Sequence, residues 1–446
     1  MRIEYCTPKF LLVDTQGGRG SGFAMKQNQN TQKDTHLSFA DVFAGCGGIS
    51  LGLINAGWQG CFAIEKNASA FKTLKTNLVL GKRGDFNWPN WLPKDAITTS
   101  DLLKKYSAEL SELKGKIPLL AGGPPCQGFS MAGRRTHSDP RNSLTEDYIK
   151  LVEKLQPRIL FIENVVGFTL PFKKHGNGDS QSIPYSTKVT ARLEEIGYKV
   201  FSDLIDLSNY GVPQARKRFI IIAIHKDDSA YKKLNGKTPF DILATNRQSF
   251  LSTKGLPTDR PVSVKEAIGD LEVSGKELTE NTDCELKGYK QIVYNGTGNK
   301  SNFAKLMRKG TKSQPDSLRL PNHRVGTIHQ FRKIIATCTQ GKTLSKEDRK
   351  RLGIKKHALT PLHGDSPSAT ITTLPDDMVH YSEPRILTVR ENARIQTFPD
   401  WFQFTGSYTT GGKDRKNKCP RYTQVGNAVP PLFSEAIGLI LKDLAS

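Results

Sequence analysis

The stretch LSFADVFAGCGGISLGLINAGWQGCFAIE, residues Leu37–Glu65, decides the fold. A short apolar run leads through a glycine-containing turn into a helical pattern, and a second apolar run follows. The same alternation continues as far as KRFIIIAI, residues Lys217–Ile224. Apolar strands that alternate with amphipathic helices indicate parallel strands joined by crossover helices. We therefore predict an α/β fold with a doubly wound, mostly parallel sheet.

Charge and cysteine content narrow the class of protein. The 446 residues include 65 Lys+Arg against 43 Asp+Glu, a formal charge of +22, which favours a polyanionic partner such as nucleic acid. The seven cysteines form no CxxC pair and no Cys/His cluster, so we expect a reducing compartment and no metal site. No apolar run approaches the roughly 20 residues that span a bilayer, and no signal-peptide pattern is present. A cytoplasmic protein without membrane association is predicted.

The chain divides by composition into four parts. Residues 1–36 end in a polar, Gln/Asn-rich stretch and are interpreted as an N-terminal extension. Residues 37–225 carry the α/β pattern, and residues 384–446 return to it. Between them, 226–383 is predicted to be a second, smaller domain whose basic core, about 285–357, holds 18 Lys+Arg against 4 Asp+Glu. Charge runs usually form solvated surface, but this density with interspersed aromatic residues favours a nucleic-acid face.

The first turn contains three glycines, Gly45, Gly47 and Gly48, between a predicted strand and a predicted helix. Tight turns of this kind need glycine in any case, but they also allow a ligand to approach the backbone. Ser50 stands where the dinucleotide fingerprint requires a third glycine, so pyrophosphate binding is not expected. Glu65 ends the next strand, where a carboxylate can accept ribose hydroxyls. A nucleoside without pyrophosphate, such as S-adenosylmethionine, satisfies both observations.

A cysteine follows the third apolar run in LLAGGPPCQGFSMAGRR, residues Leu119–Arg135. Cys126 lies just past the predicted strand Ile117–Ala121, where open α/β sheets place their ligands. The two preceding prolines restrict the backbone, and the polar segment after the cysteine is interpreted as a lid. An isolated cysteine is more often a buried structural residue, but the GGPPCQ context favours a reactive thiol.

Charged residues are predicted at the same edge of the sheet. Glu163 ends another apolar run, RILFIEN, although a strand-end Glu alone is more often a cap. In QARKRFIIIA, Arg216 and Arg218 alternate with Lys217 and therefore lie on one side of an extended segment. Two arginines on one side need an acceptor between them; the alternative is an edge strand with solvated charges.

Six motifs occur in an order that resembles the cytosine-5 DNA methyltransferase family, in its bacterial modification type. The resemblance extends from Phe39 to the C-terminus, and the basic stretch lies where the family carries its target recognition domain. The motifs are FADVFAGCGGISLGLINAGW, GGPPCQGFS, FIENVVGF, YGVPQARKRFIII, PRILTVRENARIQTFPDWF and YTQVGNAVPPLFSEAIG.

The resemblance implies roles for individual residues. Cys126 would be the nucleophile and Glu163 the acid that protonates the cytosine ring, while Arg218, with Arg216 nearby, would contact the flipped base. The pocket for S-adenosylmethionine would be lined by Phe43, Ala44, Gly45, Gly47, Gly48, Glu65, Pro125 and Asn427. For the acidic residue that contacts adenine, Asp95 and Asp101 both remain candidates.

DNA contacts are predicted in two regions. The lid would contribute Gln127, Ser130, Arg134 and Arg135, with its arginines near phosphates. The basic region would read bases, since arginines suit bidentate hydrogen bonds to guanine. Its candidate arginines are Arg319, Arg324 and Arg332.

The predicted function is methyl transfer from S-adenosylmethionine to carbon 5 of a flipped cytosine in a specific double-stranded DNA sequence, through a covalent Cys126 intermediate. A monomer acting in a restriction-modification system, with a cognate endonuclease encoded nearby, is expected. One alternative is an RNA cytosine-5 methyltransferase of the same family; the large basic region favours DNA. The other is an inactive nucleic-acid-binding module, which the intact Cys126, Glu163 and Arg218 argue against.

Overall fold

A six-stranded sheet forms the centre of the computed structural model, in the order β2-β1-β3-β4-β6-β5. The strands β1 to β4 are mutually parallel, whereas β6 runs antiparallel to both β4 and β5. The predicted mostly parallel α/β fold is confirmed. The strands are β1 Ser38–Val42, β2 Gln59–Ile64, β3 Leu119–Gly122, β4 Ile159–Val165, β5 Tyr198–Asp206 and β6 Lys217–His225.

The structure describes most of the chain after its first 36 residues, and residues 35–446 belong to one unit. Several predictions fall outside the described residues: the extension 1–36, Cys126, and the lid residues Gln127, Ser130, Arg134 and Arg135. The described residues are 37–81, 84–125, 142–171, 183–283, 286–296, 301–311, 313–409 and 418–446.

Helices cover both faces of the sheet, as a doubly wound fold requires. Alternate strand residues enter two separate apolar clusters: Phe161 packs with α1 on one face, and Leu160 packs with α5 and α6 on the other. A π-helical turn, Lys75–Val79, continues α2. The helices of this part are α1 Gly48–Asn55, α2 Ala68–Leu74, α3 Thr99–Lys105, α4 Ser107–Glu112, α5 Asn142–Leu155 and α6 Tyr185–Glu195.

The middle of the chain is more helical than its weak periodicity suggests. Its longest helix begins at a capping box in which Thr238 and Asp241 bond reciprocally. The limits 226–383 of a second domain stay a prediction. The elements are α7 Ser229–Lys233, α8 Pro239–Thr253, α9 Val264–Ile268, β7 Leu278–Glu280, β8 Lys290–Ile292, α10 Asn302–Arg308, α11 Val325–Thr337, α12 Lys346–Leu352, β9 Thr360–Pro361 and β10 Met378–Val379.

The C-terminal segment forms α13 Val389–Ile395, α14 Arg421–Asn427 and α15 Pro431–Ala445, and α15 packs directly on α1. A Cβ atom added to Gly52 of α1 would lie 2.4 Å from both the Pro431 carbonyl oxygen and the Ser434 Cβ. The indole of Trp58 donates a hydrogen bond of 2.8 Å to the Gly438 carbonyl. The two ends of the α/β part therefore meet in space.

Buried ion pairs join the middle region to this C-terminal segment. Arg394 pairs with Asp270 and Asp400, and all three side chains are fully buried or nearly so. In two further ion pairs the carboxylate also comes from the middle region and the arginine from the C-terminal segment. These pairs are Asp316 with Arg390 and Asp283 with Arg421. Removing one partner of a buried pair typically costs about 3–5 kcal/mol, so these contacts hold the two regions together.

Within the described ranges, no helix is both long and apolar enough to cross a membrane.

We expect Gly52→Ala to lower the free energy of unfolding by about 1–3 kcal/mol, because the new methyl group must displace the start of α15. The matched control is Gly326→Ala in α11, where an added Cβ would meet nothing within 4 Å. The control should change stability by less than about 1 kcal/mol. Urea unfolding monitored by circular dichroism measures the free energy of unfolding of both variants. If Gly52→Ala changed it no more than Gly326→Ala does, the close contact between α1 and α15 would not contribute to stability.

Candidate active site

The turn after β1 combines strained backbone with open space. Phe43 and Gly45 have positive φ angles of 61° and 56°, which is uncommon for a residue with a side chain such as Phe43. A Cβ on Gly45 would meet nothing within 4 Å, whereas one on Gly48 would lie 2.2 Å from the Val429 carbonyl oxygen. Gly45 thus faces open space, as a ligand would require. Gly48 instead allows close packing against the C-terminal segment.

The other predicted pocket residues of this turn are Ala44 and Gly47. Ala44 is buried, and its N–H donates to the Ile64 carbonyl at the end of β2 (3.0 Å). Gly47 precedes α1 at a φ of 98°, and a Cβ there would lie 3.0 Å from Leu78 Cδ1. Both residues shape the turn; their contact with a cofactor stays a prediction.

Glu65 binds the backbone of this turn. Its carboxylate oxygens accept hydrogen bonds from the Gly45 N–H (3.0 Å) and the Asn67 N–H (2.7 Å). Burial raises the pKa of Glu65, and these backbone hydrogen bonds oppose that rise. A carboxylate can accept about four hydrogen bonds, so acceptor capacity remains for a ligand's hydroxyl groups. Glu65 therefore combines a fixed orientation with free lone pairs.

The adenine-contacting acid stays open between two residues in different surroundings. Asp101 bonds within the N-terminal cap of α3, accepting from the Thr98 hydroxyl at 2.7 Å. The Asp95 side chain is 80% exposed and lies 3.6 Å from the Lys75 ammonium group. The intervening Ile97 N–H donates to the Glu65 carbonyl (3.0 Å), which brings this segment to the Glu65 end of β2.

Glu163 and Arg218 form an ion pair at the edge of the sheet. The Arg218 Nε lies 2.7 Å from Glu163 Oε1, and both side chains are nearly buried. The antiparallel direction of β6 makes this possible, because its first residues lie beside the last residues of β4, with Arg218 paired to Val165. Arg218 is buried and Lys217 is exposed, as their alternation predicts.

The segment that leads to Cys126 passes beside this pair. A Cβ added to Gly123 would lie 3.4 Å from Glu163 Oε2. The side chain of Asn164, which is buried, donates to the Pro124 carbonyl (3.4 Å) and accepts from the Val165 N–H (2.9 Å). The sequence analysis did not identify Asn164; the only signal for it was its position directly after Glu163 at the end of the predicted strand. Pro124 is thus held on β4 by Asn164, the residue that follows Glu163.

Arg216 makes different contacts from Arg218. Its guanidinium donates to the carbonyl oxygens of Ile371, Gly426 and Ala428 at 3.2–3.4 Å, and to the Gln214 side chain at 3.2 Å. Burial lowers the pKa of Arg216, and so does the nearby Arg218. These contacts fix the C-terminal segment against β6; the role of Arg216 as a base contact stays a prediction.

Two predicted pocket residues lie at the margins of this arrangement. Asn427 is exposed at the end of α14, between two residues whose carbonyls bind Arg216. Pro125 is half-buried and is the last described residue before Cys126. The described ranges contain no group of three or more His, Cys, Asp or Glu side chains that could hold a metal ion.

The three predicted DNA-reading arginines differ in exposure. Arg319 is only 8% exposed, and its guanidinium stacks between the rings of Tyr289 (4.1 Å) and Tyr408 (3.9 Å). Arg324 and Arg332 are exposed, at the N-cap and in the body of α11. Base reading stays a prediction for all three, and the stacking of Arg319 disfavours it there.

The sequence profile described as C-5 cytosine-specific DNA methylase matches residues 37–442. The chain belongs to this family. Its members are enzymes that methylate carbon 5 of cytosine in DNA, and the resemblance given by the six motifs is confirmed.

Two bacterial relatives of this methylase cover most of both chains. It is 29% identical over 415 residues to the type II methyltransferase M.DdeI of Desulfomicrobium norvegicum, covering 90% of this chain and 87% of the relative. It is 29% identical over 407 residues to the type II methyltransferase M1.HphI of Haemophilus parahaemolyticus, covering 90% and 85%. A crystal structure of an E. coli prophage-encoded protein, titled as a DNA modification methyltransferase, shares the fold with a TM-score of 0.59 at 23% identity, covering 92% and 99%.

The methylase also buries a carboxyl group behind the turn after β1. Asp41 is fully buried in β1 and accepts hydrogen bonds through Oδ2 from the Ser50 hydroxyl (2.6 Å) and the Ser50 N–H (3.2 Å). Its Oδ1 has no partner among the described residues. Burial raises the pKa of Asp41 from 3.8 to about 7, opposed by the hydrogen bonds from Ser50. The first turn of α1 is therefore anchored on a group that titrates near neutral pH.

We expect Asp41 to make stability fall as pH rises from about 4 to about 7. Because its folded-state pKa lies above its unfolded value, the folded chain binds the proton more tightly, and this stabilisation is lost as pH rises through 7. Urea unfolding between pH 4.5 and 7.5 should show this decline in the unmodified chain relative to Asp41→Asn. The exposed Asp95→Asn serves as control and should follow the unmodified chain. Parallel curves for all three proteins would contradict the assignment.

Proposed function

We propose that the protein transfers a methyl group from S-adenosylmethionine to carbon 5 of a flipped-out cytosine in a specific double-stranded DNA sequence, through a covalent bond to Cys126. The observation that carries this proposal is the Glu163–Arg218 ion pair beside the Gly123–Pro125 segment, which is bonded directly to Cys126. Methylation of carbon 5 requires a general acid for ring nitrogen 3 and a thiolate that adds to carbon 6.

Carbon 5 of cytosine is a poor nucleophile until the ring is activated. The Cys126 thiolate adds to carbon 6, while Glu163 in its protonated form gives its proton to ring nitrogen 3 and becomes the carboxylate that pairs with Arg218, and the ring becomes an enamine. Cysteine suits this step because its thiolate is already slightly populated near neutral pH and can leave again afterwards. When the carbon 5 proton is removed after methylation, the bond between carbon 6 and sulfur breaks and Cys126 is released.

The neighbouring residues position these two groups. Arg218 holds the Glu163 carboxyl at 2.7 Å and limits its rotation. Asn164 holds the Pro124 carbonyl and so ties the Cys126 segment to the strand that carries Glu163. Holding the Pro124 segment beside the strand that carries Glu163 lowers the entropic cost of reaching the reactive geometry.

The residues around Gly45 fit the methyl donor. The open space at Gly45 and the free lone pairs of Glu65 suit a nucleoside, with the ribose hydroxyls bonded to the carboxylate. When bound, S-adenosylmethionine supplies an electrophilic methyl group. Phe43, Ala44, Gly45, Glu65, Pro125 and Asn427 would hold it near the sheet edge where Glu163 lies.

The substrate is proposed to be duplex DNA read by the middle region. Base flipping costs a few kcal/mol, which protein contacts must offset, and the +22 charge favours phosphate binding. Because M.DdeI and M1.HphI are named type II methyltransferases, we propose that this protein works in a restriction-modification system with a cognate endonuclease. A monomeric state stays a prediction from the sequence.

Cys126→Ala is expected to keep binding DNA and to lose methyl transfer, because binding is distributed over many contacts while the covalent step needs one sulfur atom. Methylation is measured by transfer of labelled methyl groups to DNA that carries the target. Cys338→Ala, which removes a thiol from the end of α11, should remain active. A duplex with 5-fluorocytosine at the target should trap a covalent adduct with the unmodified chain. Turnover by Cys126→Ala, or failure of the adduct to form, would disprove nucleophilic attack by Cys126.

Glu163→Gln is expected to lower kcat by about 10²- to 10⁴-fold, because an amide cannot supply the proton to ring nitrogen 3. Because Gln conserves the shape but leaves the nearly buried Arg218 without its carboxylate, DNA affinity and the free energy of unfolding are measured on the same variant. The control is Glu194→Gln, an exposed residue of α6. Single-turnover methylation separates the chemical step from binding, and a loss of less than tenfold would contradict the proposed role of Glu163.

A further inference from the structure

Strand β5 lies at an edge of the central sheet. It pairs with β6 on one side, and no other strand pairs with it among the described residues. With nine residues, β5 and β6 are the two longest strands of this sheet. The exposed residues of β5 are Lys199, Ser202, Asp203 and Leu204. Because the free backbone groups of an edge strand can pair with another strand, β5 is a candidate docking surface.

Two backbone hydrogen bonds just beyond the ends of β5 show which of its residues face outward. The Lys226 N–H donates to the Gly197 carbonyl, and the Leu207 N–H donates to the Arg216 carbonyl, both at 3.0 Å. In an antiparallel strand, residues that bond to the neighbouring strand alternate with residues that do not. The odd-numbered residues of β5 therefore bond to β6, and the even-numbered residues direct their N–H and C=O groups to the outer edge.

The backbone of Leu204 follows this alternation. Its N–H does not donate to β6 but to the carboxylate of the preceding residue, Asp203, at 2.7 Å. The Leu204 side chain is 46% exposed. When the Asp203 side chain turns to another partner, the N–H of Leu204 becomes available to a second strand.

The backbone restricts how two copies of β5 can pair with each other. In an antiparallel pair about a two-fold axis, even-numbered residues of one copy must lie opposite even-numbered residues of the other, since only these have outward N–H and C=O groups. The axis must then pass through a residue and not between two residues. An axis at Phe201 places Val200 opposite Ser202. It also places Tyr198 opposite Leu204, and each of these pairs exchanges two hydrogen bonds.

The same register matches the charges of the two copies. Lys199 of each copy lies opposite Asp203 of the other, so the dimer contains this pair twice. These residues occupy positions without mutual hydrogen bonds, where the Cα atoms are about 4.5 Å apart and side chains lie close. An axis at Val200 or Ser202 would not place the two charges opposite each other. The half-buried Phe201 meets Phe201 of the other copy, and aromatic cross-strand pairs are favourable.

The helix α6 leaves space beside part of β5. It belongs to the apolar cluster that contains Tyr198, at the start of the strand. Ser202 and Leu204 lie on the same face of the sheet, because they too are even-numbered, and they are exposed. Since the copies run antiparallel, the covered start of one strand lies beside the open end of the other. The exposed side chain of Leu204 then packs beside the other copy and loses contact with water.

We propose that the protein forms a two-fold symmetric dimer in which the β5 edges of two copies pair about Phe201 and join the two central sheets into one. This inference departs from the monomer expected from the sequence and does not depend on the proposed methyl transfer. The paired segment, residues 198–204, is small for a protein interface, so the dimer is expected to be weak, with a dissociation constant in the micromolar range or above.

Sedimentation velocity at micromolar to sub-millimolar protein concentrations tests the dimer. Salt at about 0.15 M screens the general repulsion between copies that each carry a formal charge of +22. The unmodified chain should shift from monomer to dimer as its concentration rises. Lys199→Asp and Asp203→Lys should each raise the dissociation constant by about 5- to 30-fold, since two attractive pairs become two repulsive pairs.

The design separates specific pairing from general repulsion. The two charge reversals change the net charge in opposite directions, so general repulsion cannot weaken association in both. The variant that combines them restores opposite charges and should associate like the unmodified chain. Lys305→Asp is the charge-matched control for Lys199→Asp, because Lys305 is exposed on α10, outside β5; it should leave association unchanged.

A second test acts on the backbone. Ser202→Pro removes an outward N–H and is compatible with an edge strand, so it should abolish the dimer while the chain stays folded. Ser202→Ala keeps the N–H and should still form the dimer. Thermal unfolding monitored by circular dichroism verifies that both variants are folded.

A third test measures the register. A mixture of Lys199→Cys and Asp203→Cys should form a disulfide-linked dimer with oxidised glutathione as oxidant, because Cα atoms about 4.5 Å apart are within disulfide range. Neither variant alone nor the unmodified chain should do so. A monomer at every concentration, or absence of this cross-link from the mixture, would overturn the proposal. A dimer that persists at full strength in both charge reversals or in folded Ser202→Pro would use another surface and would also refute it.

Discussion

The close approach of α1 and α15 is the constraint on which the rest of the structure depends. Because Gly48 and Gly52 lack a Cβ atom, Val429 and the start of α15 can contact the backbone of α1, and Trp58 donates a hydrogen bond to Gly438 of α15. The turn after β1 is therefore held between the first strand and the end of the chain. Phe43 can keep its strained positive φ angle because packed elements fix both flanks of the turn.

The direction of one strand brings Glu163 and Arg218 together. Had β6 been parallel to β4, Arg218 would lie at the opposite edge of the sheet from Glu163. Because β6 is antiparallel, its first residues meet the last residues of β4, and a buried carboxylate gains a buried guanidinium at 2.7 Å. Neither charge would be tolerated alone at this depth. Arg216, just before β6, binds the carbonyl groups on either side of Asn427 and so connects the Glu163–Arg218 pair with the C-terminal segment.

Buried arginines of the C-terminal segment extend this arrangement into the middle region. Arg390, Arg394 and Arg421 each bind an aspartate that comes from a distant part of the middle of the chain. Such pairs require defined geometry, because each partner is costly to bury without the other. These pairs hold the middle region on the same C-terminal segment that Arg216 binds next to β6.

The sequence by itself determined the fold class and the family, because apolar periodicity and motif order can be recognised from the sequence alone. Strand β6 was recognisable from its apolar run, but its direction depends on pairing with β4 and β5, which no local pattern records. Gly48 and Arg216 illustrate the same limit: both lie in recognisable motifs, yet Gly48 packs against Val429 and Arg216 binds carbonyls more than 150 residues away. Only the tertiary structure decided that Arg319 is stacked and Arg332 exposed, since burial is set by long-range packing, which residue type and sequence spacing do not specify.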